Sequence, residues 1–198
     1  MTVVSPTPPS RKGTPSKKFG SGLLLGTALV AAFIGIWEGG KDRDGSSVAY
    51  ADKLAGGLPT VCAGLTRHVT TTPIVVGQRW SAEKCAAEEQ KAITAVQLRL
   101  ERCFRIMPPQ SVFDAATSHA WNFGTPATCS SQAVRAWNSG NWDLGCRRLA
   151  FSDDGDRVWS YVKTGKILPN GKPEYHFVQG LANRRDAEYQ LCLTGEQP

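Results

Sequence analysis

The sequence predicts an α+β fold, a small strand-rich lobe followed by a mainly helical one. Residues 46–76 interleave apolar residues with Gly56-Gly57, Pro59, Gly64 and Pro73, as short strands and turns do. From Ser81 onward the apolar spacing becomes helical. The length of 198 residues, with 41% hydrophobic and 20% charged residues, suits one globular domain with a tail.

In chain order, residues 1–18 are rich in Pro, Gly, Ser and Thr and hold little to bury, the composition of a disordered tail. They contain Arg11, Lys12, Lys17 and Lys18. Residues 19–37 carry no charge, and as a helix they just span a hydrocarbon core of about 30 Å. The basic residues before them predict a cytoplasmic N-terminus and an exported remainder. Gly20, Gly22, Gly26, Ala28, Ala31, Ala32 and Gly35 make this span weak, because small residues bury little area. A cleaved signal peptide, a permanent anchor and a releasable transmembrane anchor are the three readings. The Gly and Ala content favours the third, and Gly22 with Gly26 fits a small-xxx-small packing face.

In the domain, residues 38–198, Ser81 is an N-cap for a helix over 82–104, which Pro108-Pro109 stops. A second helix fits 111–121. A third begins after Cys129 or Ser130 and ends at Gly140, and a fourth covers 142–149. Residues 151–177 hold turn formers and aromatics, with a hairpin turn at Pro169-Asn170-Gly171. A last helix covers 178–193.

The net charge of +6 raises the question of a nucleic-acid partner. Four of those charges precede residue 38, and the domain carries 19 basic against 17 acidic side chains. It has no basic stretch interleaved with stacking aromatics, so no nucleic-acid partner is expected. All six cysteines, Cys62, Cys85, Cys103, Cys129, Cys146 and Cys192, lie in the domain. An even count in an exported domain favours disulfides, with the pairing open. No Cys-x-x-Cys pair occurs, and His68, His119 and His176 lack ligand spacing, so no metal or other cofactor is expected.

Three polar residues stand out early in the domain. Glu38 is the first charge after the apolar run, Asp52 sits in Tyr50-Ala51-Asp52, and Thr60 in Leu58-Pro59-Thr60-Val61-Cys62. Each has a bland explanation alone: the end of a span, a turn aspartate, a strand threonine. Together, Glu38-Gly39, Tyr50-Ala51-Asp52, Gly56-Gly57 and Thr60-Val61-Cys62-Ala63-Gly64 resemble the catalytic lobe of phage-type lysozymes, glycoside hydrolase family 24. The likeness is greatest to endolysins with a signal-anchor-release segment. It continues in Trp121-Asn122-Phe123-Gly124 and in Gly180-Leu181-Ala182-Asn183-Arg184-Arg185. The gaps from Glu38 to Asp52 and from Asp52 to Thr60 are longer than in the family pattern, and a polar stretch fills the first. Asp44-Gly45 offers a rival alignment. Glu38 is preferred because it follows the helix directly, whereas the charges around Asp44 favour its ionised form.

The resemblance implies a lysozyme-like fold and a muramidase. It would cleave the bond between N-acetylmuramic acid and N-acetylglucosamine in peptidoglycan and so lyse the host cell. Glycoside cleavage needs a general acid and a second carboxylate across the sugar, roles that fall to Glu38 and Asp52. Thr60 would position a water. Trp37 is expected to desolvate Glu38 and favour its protonated form. Asn122, Gly124 and His119 are candidates to border the sugar cleft, His119 as core or lining. Arg184 and Arg185 are read as structural or saccharide-facing. Cys103 and Cys129 lie outside the family positions that can be matched, and are expected to pair with each other. It implies a monomer held inactive at the inner membrane through residues 19–37, then released to the periplasm, with a holin-type depolarising protein as a partner. Two rival functions are a membrane-anchored, non-catalytic peptidoglycan-binding protein and a scaffold of an envelope complex.

Overall fold

A computed structural model of the chain describes residues 23, 25–53 and 56–195. The tail 1–18 and residues 19–22 and 24 of the apolar segment lie outside the described residues.

Helix α1 spans Ala28–Trp37. Thr27 caps it, its hydroxyl accepting from the Val30 N–H at 3.2 Å. Val30, Phe33 and Ile34 share one face at helical spacing, and all three are buried against the domain. The described C-terminal part of the segment expected to cross a membrane is thus a ten-residue helix, about 15 Å long, packed into the core. Among the described residues no helix is long and apolar enough to cross a membrane.

Strands β1 (Ser47–Val48) and β2 (Tyr50–Asp52) follow, then β3 (Leu58–Thr60) and β4 (Arg79–Trp80). β1 pairs antiparallel with β4, and β2 pairs antiparallel with β3. The strand-rich lobe is therefore two short ribbons around Ala49, Val61, Leu65 and Trp80. The sequence placed strand residues at Ile74, Val75 and Val76. They form a loop instead, with Val75 61% exposed, and the pairing strand comes later, where Trp80 supplies a fully buried side chain.

The helical lobe comprises α2 (Ala82–Glu101), α3 (Gln110–Phe123), α4 (Thr125–Cys129), α5 (Gln132–Trp137), α6 (Trp142–Arg147) and α7 (Gln179–Thr194). Ser81 caps α2 as expected, accepting from the Lys84 N–H at 3.3 Å. The sequence reading missed α4. Gly124, at φ +84°, ends α3, and Pro126 in the next turn suits a helix start, so the chain bends and restarts. Between α6 and α7 stands a hairpin of β5 (Tyr161–Ile167) and β6 (Pro173–Phe177). α3 is the central helix, packed against α7, α2, α4 and α1. Its buried face joins Phe33 of α1, Leu100 of α2, Trp137 of α5 and Leu191 of α7 in one core.

All six cysteines are bridged: Cys62–Cys85, Cys103–Cys129 and Cys146–Cys192. The first ties the strand lobe to α2, and the last ties α6 to α7. The Cys103–Cys129 pairing is the one expected for the two cysteines outside the matched family positions.

Candidate active site

Glu38 is the residue after α1, and its N–H donates to the Ile34 carbonyl at 3.1 Å, closing the last helical turn. The position of its carboxylate is therefore set by how α1 docks. Across the interface, Arg184 of α7 donates from Nη1 to Glu38 Oε1 at 2.7 Å. Arg184 is buried and committed elsewhere too. Its Nε reaches Glu188 Oε1 at 3.3 Å, and its Nη2 reaches the Ser118 carbonyl of α3 at 3.3 Å. Glu188 also accepts from Ser118 Oγ at 2.7 Å and from Arg185 Nη2 at 2.6 Å. Burial pushes the Glu188 carboxyl up and the Arg185 guanidinium down, and their mutual attraction opposes both. The cluster holds two acids and two arginines, so its charges balance at neutral pH when all are ionised.

The other oxygen of Glu38 faces Gly64. A Cβ at that glycine would lie 3.4 Å from Oε2, and the backbone there has φ +77°, so a side chain would be crowded and strained. The loop after Glu38 is pinned to the same region. Ser47 Oγ donates to the Gly40 carbonyl and accepts from the Cys62 N–H at 2.9 Å. Lys41 pairs with Glu89 of α2 at 2.7 Å, and the same carboxylate accepts from the Ala63 N–H at 2.9 Å. The polar stretch between Glu38 and Asp52 is thus fastened to the strand lobe at both ends.

Asp52 and Thr60 come together through the β2–β3 ribbon. Tyr50 is opposite Thr60 and Asp52 is opposite Leu58, so Asp52 and Thr60 are diagonal neighbours on one face. Thr60 is buried, and its hydroxyl donates to the Leu58 carbonyl at 3.0 Å, which leaves its lone pairs to accept. Tyr50 links this ribbon to Glu38. Its hydroxyl is pushed up first by burial, then by the charges of Asp52 and Glu38, so it senses both carboxylates. Beside Gly64 lies a cavity of about 140 Å³ lined by Val69, Val96, Arg99, Trp121 and Gly124 among others. A larger hollow of about 430 Å³, between Gln132, Arg148 and Trp159, contains none of these residues.

Some expectations narrow to one of their alternatives, His119 to core and Arg184 and Arg185 to structure, and others change. His119 does not line a cleft: it is fully buried, with Nδ1 2.8 Å from Thr128 Oγ1 and its ring edge-on to Trp159. Burial holds it well below the usual histidine range, so it is a neutral core residue. Arg184 and Arg185 are buried, not saccharide-facing, and Arg184 reaches the Glu38 carboxylate. Trp37 packs on the core, while the charged neighbour of Glu38 is Arg184. Asn122 is exposed and accepts from Arg185 Nη1 at 3.1 Å, away from the lining of the small cavity. Gly124 does line that cavity. Asp44 is exposed in a turn, accepting from the Ser46 N–H at 2.9 Å, and its hydrogen bonds with Ser46 hold it below the usual range. The resemblance pointed to Arg184 only as part of Gly-Leu-x-x-Arg-Arg. No local spacing connects it to a residue 146 positions earlier.

A fold of this kind, with a carboxylate at the junction of a helix and a strand ribbon, defines a phage-type lysozyme. The phage lysozyme family model matches residues 41–188, and the chain belongs to that family. The match begins three residues after Glu38. A SAR-endolysin of Pseudomonas phage phiKMV is 32% identical over 176 residues, covering 86% of this chain and 91% of the relative. A SAR-endolysin of Enterobacteria phage PA-2 is 25% identical over 191 residues, covering 96% and 99%. The endolysin from Escherichia coli O157:H7 phage FAHEc1 shares the fold, with TM-score 0.69 at 21% identity, over 88% of this chain and 97% of that one. The family places this chain among muramidase-type glycoside hydrolases.

Proposed function

We propose that the protein cleaves the N-acetylmuramic acid to N-acetylglucosamine bond of peptidoglycan, with Glu38 as general acid and Asp52 and Thr60 on the other side of the sugar. The observation that carries this reading is the setting of Glu38. One oxygen is fixed by Arg184, and the other faces the cavity edge at Gly64. A proton on Oε2 is then aimed at a leaving oxygen while Oε1 is held. Thr60 has already donated its proton to Leu58, so a water between it and Asp52 donates to both. Its lone pair is then free to attack. Asp52 also offsets positive charge developing on the ring.

The second part of the proposal concerns residues 19–37. The face of α1 formed by Val30, Phe33 and Ile34 is as suited to lipid as to the core it occupies here. In the membrane-tethered state Glu38 lies at the bilayer surface, away from Arg184 and the β2–β3 ribbon. Release to the periplasm, set off by a holin-type depolarising protein, lets α1 dock and completes the site as a monomer. The test is Glu38→Gln, measured as clearing of chloroform-treated Gram-negative cells beside a melting curve. The variant is expected to fold, with a lower melting temperature because a buried charge loses its partner, and to clear nothing. Clearing at the parent's rate would overturn the assignment.

A further inference from the structure

The β5–β6 hairpin has no part in the site described above, and its surface is unlike the rest of the molecule. Every residue of β5 is exposed. The register pairs Tyr161 with Phe177 and Lys163 with Tyr175, so these four side chains share one face, and Ile167 pairs with Pro173 beyond a shift in register that lies nearer the tip. On that face Tyr175 is 53% exposed and Tyr161 44%, and towards the tip Ile167 is 65% exposed. Leu168 extends the apolar stretch into the tip, and is exposed too. Among the described residues, the only exposed large aromatic outside the hairpin is Tyr50 of the site.

The charge is equally concentrated. Residues 161–177 carry Lys163, Lys166 and Lys172 against Glu174 alone. The remainder of residues 38–198 carries sixteen basic and sixteen acidic side chains, so the whole positive surplus of the domain lies in this hairpin. A two-stranded ribbon exposed on both faces is marginal in water, and apolar residues at its tip gain nothing there.

We propose that this hairpin is a membrane-contacting surface, which lays its aromatic face and the Ile167-Leu168 tip into the interface of an anionic lipid bilayer. Lys163, Lys166 and Lys172 meet the phosphate headgroups, and the tyrosines take the interfacial position that suits a ring with a polar end. A glycan is the weaker fit, because Ile167 and Leu168 have no ring face to lay on a sugar. The proposal rests on the reading of residues 19–37 only for proximity to lipid. It means that the released enzyme stays at the membrane surface, beneath the wall it cuts, rather than diffusing away.

Hydrogen exchange of the full chain tests this, because the hairpin and the N-terminal segment are read as separate peptides. The arms are vesicles of phosphatidylglycerol with phosphatidylethanolamine, vesicles of phosphatidylcholine, and purified sacculi. Slower exchange in 161–177 with the anionic vesicles, and not with the neutral ones, is the expected result. Unchanged exchange there, whether or not 19–37 responds, overturns the proposal. Slowing by sacculi but not by vesicles overturns it in favour of a glycan surface. The double variant Ile167→Ser with Leu168→Ser should weaken hairpin protection by anionic vesicles about tenfold while clearing treated cells at the parent's rate. Glu38→Gln should do the reverse, which separates a failure of this proposal from a failure of the catalytic one.

Discussion

The Glu38 carboxylate depends on two single residues that do no chemistry themselves. Arg184 spends each nitrogen on a different partner, Glu38, Glu188 or Ser118, and a lysine ammonium cannot reproduce that planar fork. Arg184→Lys is therefore expected to cut turnover by about tenfold to a hundredfold and to lower the melting temperature. Equal turnover in a folded Arg184→Lys variant would show that the fork does not position the acid. Gly64 is the second. An alanine there meets Glu38 Oε2 in a left-handed backbone conformation, costing roughly 1–2 kcal/mol. Gly64→Ala should lose most activity with Cys62–Cys85 still formed, as activity assay and thiol titration would show. The candidate residues themselves were legible, because Glu38, Asp52 and Thr60 sit in a motif around turn glycines. Their supports were not. Arg184 meets Glu38 only when α7 packs on α1 across α3, and a buried guanidinium looks in sequence like a surface one.

At the scale of the element, α1 matters most. Its C-terminal end was visible as the end of an uncharged run, yet the same run fitted a span, and sequence alone reads a half-buried helix and a short anchor alike. Burying Val30, Phe33 and Ile34 stabilises the docked state by on the order of 5–8 kcal/mol. Polar contacts fix the register. Gly26 donates to Gln97 Oε1 and accepts from Gln90 Nε2, each at 2.6 Å. The φ of Gly26 is +58°, and a Cβ there would overlap the Gln90 amide. Gly26→Leu should strengthen residence in the bilayer and also bar docking, so fractionation should show less soluble, active enzyme. Normal release and lysis timing would count against both effects.

The same element carries a pH response. Asp114 of α3 faces the Thr27 cap, and burial raises its carboxyl from 3.8 to about 6. The folded chain keeps this proton where the unfolded chain has lost it, so stability falls as the pH rises from about 4 to about 6 and stays lower above that. Asp114→Asn should flatten that slope in urea midpoints measured across the range. An unchanged slope would place the titrating group elsewhere. Nothing in the sequence signalled this, since Asp114 stands beside Gln110, Thr117 and Ser118 on α3, as a solvated aspartate would, and its burial is a product of long-range packing.

For the whole molecule, the α+β order followed from composition and spacing, and the pairing of Cys103 with Cys129 from their lying outside the matched family positions. The central position of α3 and the lodging of α1 in the core did not, because both are products of long-range packing. In the proposed control the N-terminal helix alternates between two partners, a bilayer and its own domain. The proposed control follows from that choice: the acid is in place only when α1 is docked. Reduction of the three disulfides should loosen both lobes and abolish activity, which a reductant titration against cell clearing would follow. The most direct test is muramidase activity in membrane and soluble fractions of the full chain, before and after depolarisation, with Glu38→Gln as the blank. The account predicts activity in the released fraction alone. Full activity in the membrane-bound fraction before depolarisation would contradict it.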